Sequence, residues 1–366
     1  MIRIDEIYHQ VFGTYLQRNV PRTRFYHCAP FGHTGVENLC VSDGAGSHEL
    51  NYILFHDQEP IHLDLHAPLF DAVRERSRDL NNHIGPRSRA LVHSEMNSDA
   101  VRAACERWGW KSYYYFFHGW AALDWFRGYD RTWLRPQQSR ITRSFLAPNR
   151  IIGGRRRHRV TLMYHLLRGG VRNAHVSFPA TCPQEGVAVQ DLVDHLPEDA
   201  VGVFARAGLP WNFAGEHDHP MRSYELTQWQ EAHDSLAYVV TETVYSAQRL
   251  HLTEKTLKPV AMGRPFVLLA APGSLEYLRS YGFRTFHDVW DESYDLEPND
   301  DVRAQRVAEL LLWMDQRTDR ELGILNDQCR DVVQHNHQHF YGGAFEQILW
   351  RELTAMLKQI RDDFND

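Results

Sequence analysis

Short apolar runs, each giving way to a cluster of polar and titratable residues, set the rhythm of this chain. The first clear one, YILF at 52–55, has the length and composition of a buried strand and ends in His56-Asp57-Gln58-Glu59-Pro60. A helix is predicted over about 68–76, followed by a strand at 90–93 (ALVH) that ends in Ser94-Glu95. Asn97 or Ser98 is placed to cap a helix that Gly109 stops after Trp108. The aromatic run 113–117 reads as a third strand ending in His118-Gly119, and 121–126 starts another helix. Residues 1–50 are harder to read; frequent Gly, Asn, His and Ser between 32 and 48 suggest loops.

The same alternation resumes further on. A polar, basic stretch at 131–143 (RTWLRPQQSRITR) is the expected linker, with one domain over 1–135 and a second over 143–343. A strand at 144–147 leads to Pro148-Asn149-Arg150, an apolar-periodic helix at 160–167 is stopped by Gly169-Gly170, and 174–178 suits another strand. Residues 181–230 look irregular, and 236–240 reads as a buried strand. Thr253 is the expected N-cap of a helix opening with Glu254-Lys255 and closing before Gly263. An apolar run at 266–270 follows, then Ala271-Pro272-Gly273 and a short helix from Ser274 to Gly282. Strand and helix in alternation build parallel sheets, so the fold class predicted is α/β with two Rossmann-like domains. A last helix, 344–366, gathers Phe345, Ile348, Leu349, Leu353, Leu357, Ile360 and Phe364 on one face and is expected to pack on a domain.

Bulk properties narrow the function classes. The chain has 366 residues, room for two domains, and its 43% hydrophobic and 24% charged residues are those of a soluble globular protein. No apolar run approaches the roughly 20 residues that cross a bilayer. The start, MIRIDEIYHQ, lacks the apolar core of a signal peptide, and Cys28, Cys40, Cys105, Cys182 and Cys329 are scattered without metal or disulfide spacing, so a cytoplasmic location is expected. A net charge of −7 argues against coating nucleic acid by bulk electrostatics.

Candidate chemistry gathers where strands end, because open parallel sheets bind ligands outside the carboxyl ends of their strands. Polar residues also mark ordinary loops, which accounts for His56, His93 and Glu95; Asp57, Glu59 and His118 are the sharper candidates for a catalytic base. In the second half, a helix beginning just after a strand presents N–H groups and a dipole that favour phosphate. There Glu254 suits the hydroxyls of a ribose and Lys255 a diphosphate, against the simpler reading of a dipole partner and a solvated lysine. Arg155, Arg156 and Arg157 are candidates for contact with phosphate or nucleic acid, although charge runs are most often solvated loops. His335 and His339 share a helix face, but neither they nor Glu216-His217-Asp218-His219 form a convincing metal motif, and no metal site is predicted. Walker A, GxGxxG and GxSxG patterns are absent, which argues against a nucleoside triphosphatase, an ordinary dehydrogenase and an esterase.

A buried strand, then Thr-Glu-Lys opening a helix, then an apolar strand and Pro-Gly resembles the donor-binding half of GT-B glycosyltransferases, most of all the α1,3-fucosyltransferase-like group. The resemblance covers about 143–286 and is specific at the Thr-Glu-Lys segment. It implies a GT-B-like fold with a central cleft, and a nucleotide sugar held by Asn149, Arg159, Thr253, Glu254 and Lys255. The amino half, with HDQEP, HSEMNS and FFHGWAALDWF, is similar to the partner domain of phage-type glycosyltransferases. RPFVLLAAPGSLEYLRS departs from the usual fucosyltransferase loop, so fucose is not implied.

The expected function is therefore a metal-independent glycosyltransferase that needs no cofactor beyond a nucleotide-diphosphate sugar such as a UDP-sugar. Its acceptor would be a glycan or a hydroxymethylated pyrimidine in phage DNA. The alternatives are a non-catalytic nucleotide-sugar-binding module and a structural virion or interaction protein.

Overall fold

The computed structural model describes residues 3–20, 22–28, 36–41, 51–79, 88–129, 140–213, 224–246 and 249–365. They divide into two compact units, one of 1–124 with 346–366 and one of 125–345. The linker expected at 131–143 lies mostly outside the described residues. Of the loops expected across 32–48, residues 36–41 instead form a strand paired in the first sheet, and the rest lies outside the described residues.

The first unit opens with a helix, α1 (4–19), whose middle, Ile7–Leu16, is wound as a π-helix. Then come β1 (Thr23–Cys28), β2 (Val36–Val41), β3 (Asn51–His56), α2 (Leu63–Asp79), β4 (Arg89–His93), α3 (Asp99–Trp108), β5 (Lys111–Tyr114) and α4 (Phe117–Phe126). The sheet has the order β2-β1-β3-β4-β5, with β2 antiparallel to β1 and every other pair parallel. Every residue of β3 is buried, as helices on both faces of a parallel strand require. Tyr52, Leu54 and Leu91 meet Phe70 and Val73 of α2 and Val101, Ala104 and Trp108 of α3 in one core cluster. Ser98 Oγ accepts from Val101 N at 3.2 Å and Gly109 closes α3 at φ 68°, as the spacing predicted.

Two element boundaries differ from those the sequence predicts, and one stretch it left unread is ordered. Helix α2 starts five residues earlier than predicted and carries Pro68 in its second turn. The third strand stops at Tyr114, not Phe117. Tyr115 turns inward, and Phe117 N bonds Tyr115 O at 3.0 Å as α4 begins. Residues 4–19 and 23–28, unreadable from pattern, form a helix and a core strand.

The second unit contains β6 (Arg143–Pro148), α5 (Arg157–Arg168), β7 (His175–Ser177), α6 (Ala200–Arg206), α7 (Trp229–Asp234), β8 (Ser235–Thr241), α8 (Glu254–Ala261), β9 (Phe266–Leu269), α9 (Ser274–Ser280), α10 (Asp300–Asp315) and α11 (Asp319–Tyr341). Its sheet, β7-β6-β8-β9, is parallel throughout. All seven residues of β8 are buried. The region read as irregular, 181–230, includes α6 and the start of α7. Both units are α/β, and their strand-helix alternation is compatible with two Rossmann-like domains. No helix among the described residues is long and apolar enough to cross a membrane.

The last helix, α12 (Ala344–Asn365), carries the chain back to the first unit. Leu349, Leu353 and Ile360 are fully buried, Trp350 meets the Trp120 ring edge-on at 4.8 Å, and Glu352 accepts from Phe116 N at 2.7 Å. Tyr113 donates to Asp363 at 2.7 Å and Asn365 to Asn19 O at 3.1 Å. The predicted apolar face is the buried one. Leu353→Ala should therefore cost about 2–5 kcal/mol, read as a lower urea midpoint for unfolding.

Candidate functional site

In the second unit, the carboxyl ends of the strands are held together by buried polar side chains. Asn149, one residue beyond β6, donates through its backbone to Ser177 O at 3.0 Å and accepts from Thr241 Oγ1 at 2.8 Å, which ties the ends of β6, β7 and β8. Arg159, in the first turn of α5, donates to Ile151 O and Thr241 O, both at 2.7 Å. It makes no ion pair among the described residues. Burial, and then Arg156, pull its guanidinium down to about 9, while nearby Glu242 acts in the opposite direction. His158 donates from Nε2 to Glu242 O at 3.0 Å and stacks on Tyr245 at 4.2 Å. Burial, helped by Arg159, holds its pKa well below the usual imidazole range. Arg303 of α10 is fully buried and donates to Ala270 O, Glu297 O and Tyr245 O at 2.6–3.0 Å and to Asp300 Oδ1 at 2.7 Å.

The Thr-Glu-Lys segment begins α8 as predicted. Thr253 is the N-cap, its Oγ1 accepting from Lys255 N at 3.3 Å. Glu254 is buried, with 4% of its side chain exposed, and Lys255 Nζ lies 3.1 Å from both Glu254 Oε1 and Thr253 Oγ1. One turn on, buried Lys258 is pulled down to about 8 by desolvation, against the attraction of Glu254. One expectation is corrected. Three amides at this helix start are engaged within the chain: Thr253 N by Glu242 at 2.9 Å, Lys255 N by Thr253 Oγ1, and Thr256 N by Thr253 O at 3.2 Å. An anion here would be met by side-chain cations more than by open N–H groups.

Of the basic run, Arg155 and Arg157 are exposed, and Arg157 pairs with Asp194 at 2.9 Å. Arg156 is half-buried, and its side chain makes no hydrogen bond or ion pair among the described residues. Its charge reaches Arg159 and His158, so it is the member of the run nearest the strand ends in effect.

In the first unit, Asp57 follows β3 directly and is buried. Its Oδ1 accepts from Tyr8 OH at 2.9 Å, its Oδ2 accepts from Tyr115 OH, and His27 Nε2 lies 3.6 Å away. Desolvation, and then the Asp57 charge, raise both phenol pKa values well above their usual range. His118 is buried and bonds Gln58 O at 3.0 Å through Nε2. Glu59 is half-buried, and its carboxylate has no hydrogen-bond or ion-pair partner among the described residues. The three base candidates thus share one sheet edge, with Asp57 engaged in building it and Glu59 open. Glu95, at the end of β4, accepts from Ile61 N at 2.5 Å and Ser98 Oγ at 2.9 Å.

The histidine motif of α11 is a clamp. His335 Nε2 bonds Gly282 O at 3.0 Å, His339 Nε2 bonds Tyr281 O at 2.7 Å, and Asn336 donates to Arg284 O at 2.9 Å. They satisfy the carbonyls left at the end of α9. No group of three or more metal-ligating side chains occurs among the described residues, and Glu216-His217-Asp218-His219 lies outside them. A depression of about 440 Å³ opens beside α9, lined by Leu275, Arg279, His287, Asp291, Glu292 and Asp295; none of the predicted donor-binding residues lines it.

Sequence reasoning missed Glu242, Arg303, Tyr8 and Tyr115. Glu242 carried the signal already applied to Asp57, a titratable residue directly after a buried strand. Tyr8 and Tyr115 carried none, since their role depends on a carboxylate about 50 positions away in sequence. No protein-family model, no curated protein and no solved structure matches this chain.

Buried His93, at the end of β4, accepts from Glu95 N at 3.3 Å through Nδ1 and meets Ser112 Oγ at 2.7 Å through Nε2, and burial lowers its pKa to about 4. The unfolded chain, near 6.5, binds the proton first. Stability should therefore fall as pH drops from about 6.5 to 4, by up to about 3 kcal/mol, and His93→Gln should flatten that slope in urea titrations.

Proposed function

We propose that this chain is a glycosyltransferase of GT-B type that moves a sugar from a nucleotide-diphosphate sugar to a hydroxyl acceptor. The observation that carries the reading is Glu254, a buried carboxylate clasped by Lys255 where a capped helix follows the carboxyl end of a central parallel strand. Glu254 would accept from the ribose hydroxyls, exchanging part of its bond to Lys255 for them. Lys255, Arg156 and Arg159 would face the diphosphate. Arg159, buried with carbonyl partners and no paired carboxylate, adds positive potential at that edge whether or not it touches the ligand. As the glycosidic bond breaks, negative charge grows on the leaving diphosphate, and fixed cations in a partly desolvated site stabilise it. Thr253 and Asn149 hold the frame.

The first unit would bind the acceptor and remove the proton of its hydroxyl. A general base needs a free lone pair. That lone pair must also be within reach of the acceptor, and the Asp57 carboxylate is fully buried beneath two phenols while His118, bonded to Gln58 O through Nε2, has its Nδ1 buried. Glu59 keeps its carboxylate open and is the base favoured here. The acceptor is a glycan hydroxyl or the hydroxymethyl group of a modified pyrimidine in DNA. For the latter, Arg155 and Arg157 would contact phosphates, and binding would weaken steeply with salt.

Nucleotide sugars screened by thermal unfolding should include one that stabilises the wild-type chain by roughly 2.7 kcal/mol at about 100 times its dissociation constant. Glu254→Ala should weaken that ligand about 10- to 100-fold in calorimetry; unchanged affinity would remove Glu254 from the site. Glu59→Gln should bind the nucleotide sugar normally and transfer about 100-fold more slowly or worse, whereas a binding module without catalysis releases no nucleotide with any acceptor, oligosaccharide or modified duplex.

A further inference from the structure

The carboxylate of Glu242 has no part in the reading above, yet the helix start is assembled on it. Glu242 follows β8 directly and is fully buried. Oε1 accepts from Thr253 N at 2.9 Å and Thr256 Oγ1 at 2.6 Å; Oε2 accepts from Thr253 Oγ1 at 2.7 Å and Thr243 N at 3.3 Å. These donors come from the loop after the strand, from the N-cap, and from the first turn of α8.

The direction of one of these bonds matters most. Because Thr253 Oγ1 gives its proton to Glu242, its lone pairs face Lys255 N at 3.3 Å and Lys255 Nζ at 3.1 Å. The ammonium so oriented then meets Glu254 Oε1 at 3.1 Å. A relay of fixed polarity runs from Glu242 through Thr253 and Lys255 to Glu254. We propose that Glu242 is the positioning residue of the nucleotide site, setting the hydroxyl that aims Lys255 and thereby holding the Glu254–Lys255 pair in the geometry that grips a nucleoside diphosphate. This rests on the nucleotide-binding reading of that pair.

Glutamine cannot replace it. Each carboxylate oxygen accepts a backbone N–H, from Thr253 on one side and Thr243 on the other, and a backbone N–H cannot reverse. Either orientation of the amide therefore sets NH₂ against N–H. A merely electrostatic role predicts the opposite outcome. Removing a negative charge near Arg159 would then strengthen binding of a diphosphate.

The test titrates UDP and GDP into full-length wild type, Glu242→Gln, Thr256→Val and Glu254→Ala in a calorimeter, with hydrogen exchange followed at 253–257. Glu242→Gln should weaken the bound nucleotide about tenfold or more and speed exchange in that segment. Thr256→Val, which removes one of the four donors while leaving the carboxylate, should shift both in the same direction by less. Wild-type or tighter affinity in Glu242→Gln, alongside weakened binding in Glu254→Ala, overturns the positioning role alone. If Glu242→Gln does not fold, Thr256→Val decides, and wild-type affinity and exchange in it overturn the role. Wild-type affinity in Glu254→Ala, or no binding of either nucleotide by the wild type, overturns the site itself and the role of Glu242 with it.

Discussion

Backbone carbonyls at the carboxyl end of a buried parallel sheet have no next strand residue to pair with, and leaving them bare inside the protein is costly. In the second unit that requirement draws charged side chains to the edge. Arg159 takes Ile151 O and Thr241 O, His158 takes Glu242 O, and Arg303 takes Ala270 O, Tyr245 O and Glu297 O. Arg303 is balanced by Asp300, but Arg159 has carbonyls alone as hydrogen-bond partners. Satisfying the backbone in this way deposits positive charge where a ligand of a parallel sheet binds. The affinity for an anion proposed for this edge would in this sense be a by-product of closing the sheet.

In the first unit the buried groups at the strand ends include carboxylates, and neutral donors satisfy them. Tyr8 and Tyr115 converge on Asp57, and Glu95 takes the amide of Ile61 and the hydroxyl of Ser98. A carboxylate treated this way is structural material. Desolvation keeps the phenols protonated, so they stay donors, and Tyr8 pins α1 to the end of β3. The difference between Asp57 and Glu59 is a matter of partners, since both stand after one strand.

Much of the architecture was legible because strands buried on both faces become plain apolar runs. YILF, ALVH and FVLL announced β3, β4 and β9, and β8 was found by the same rule. β1 escaped because TRFYHC mixes Arg24 and His27 into a core strand, and α10 and α11 because so much of each surface is polar. At the candidate site, the placement of Asn149, Arg159 and Thr253-Glu254-Lys255 followed from where strands end and helices begin, which is local information. The occupancy of each lone pair was not local. Whether Asp57 is open depends on Tyr8, and whether the α8 amides are open depends on Glu242, eleven residues before the cap. The tandem histidines of α11 show the same limit: their helical spacing was readable, their carbonyl partners at the end of α9 were not.

Because the first unit consists of 1–124 and 346–366, its chain is interrupted by the whole of the second. A ribosome would deliver five strands and their helices well before the closing helix that covers Trp120 and meets Phe116 and Tyr113. The second unit would emerge complete while the first still lacked its last layer. Nascent chains should therefore mature in reverse of their order of synthesis, with the apolar surface awaiting α12 the segment most in need of chaperone cover.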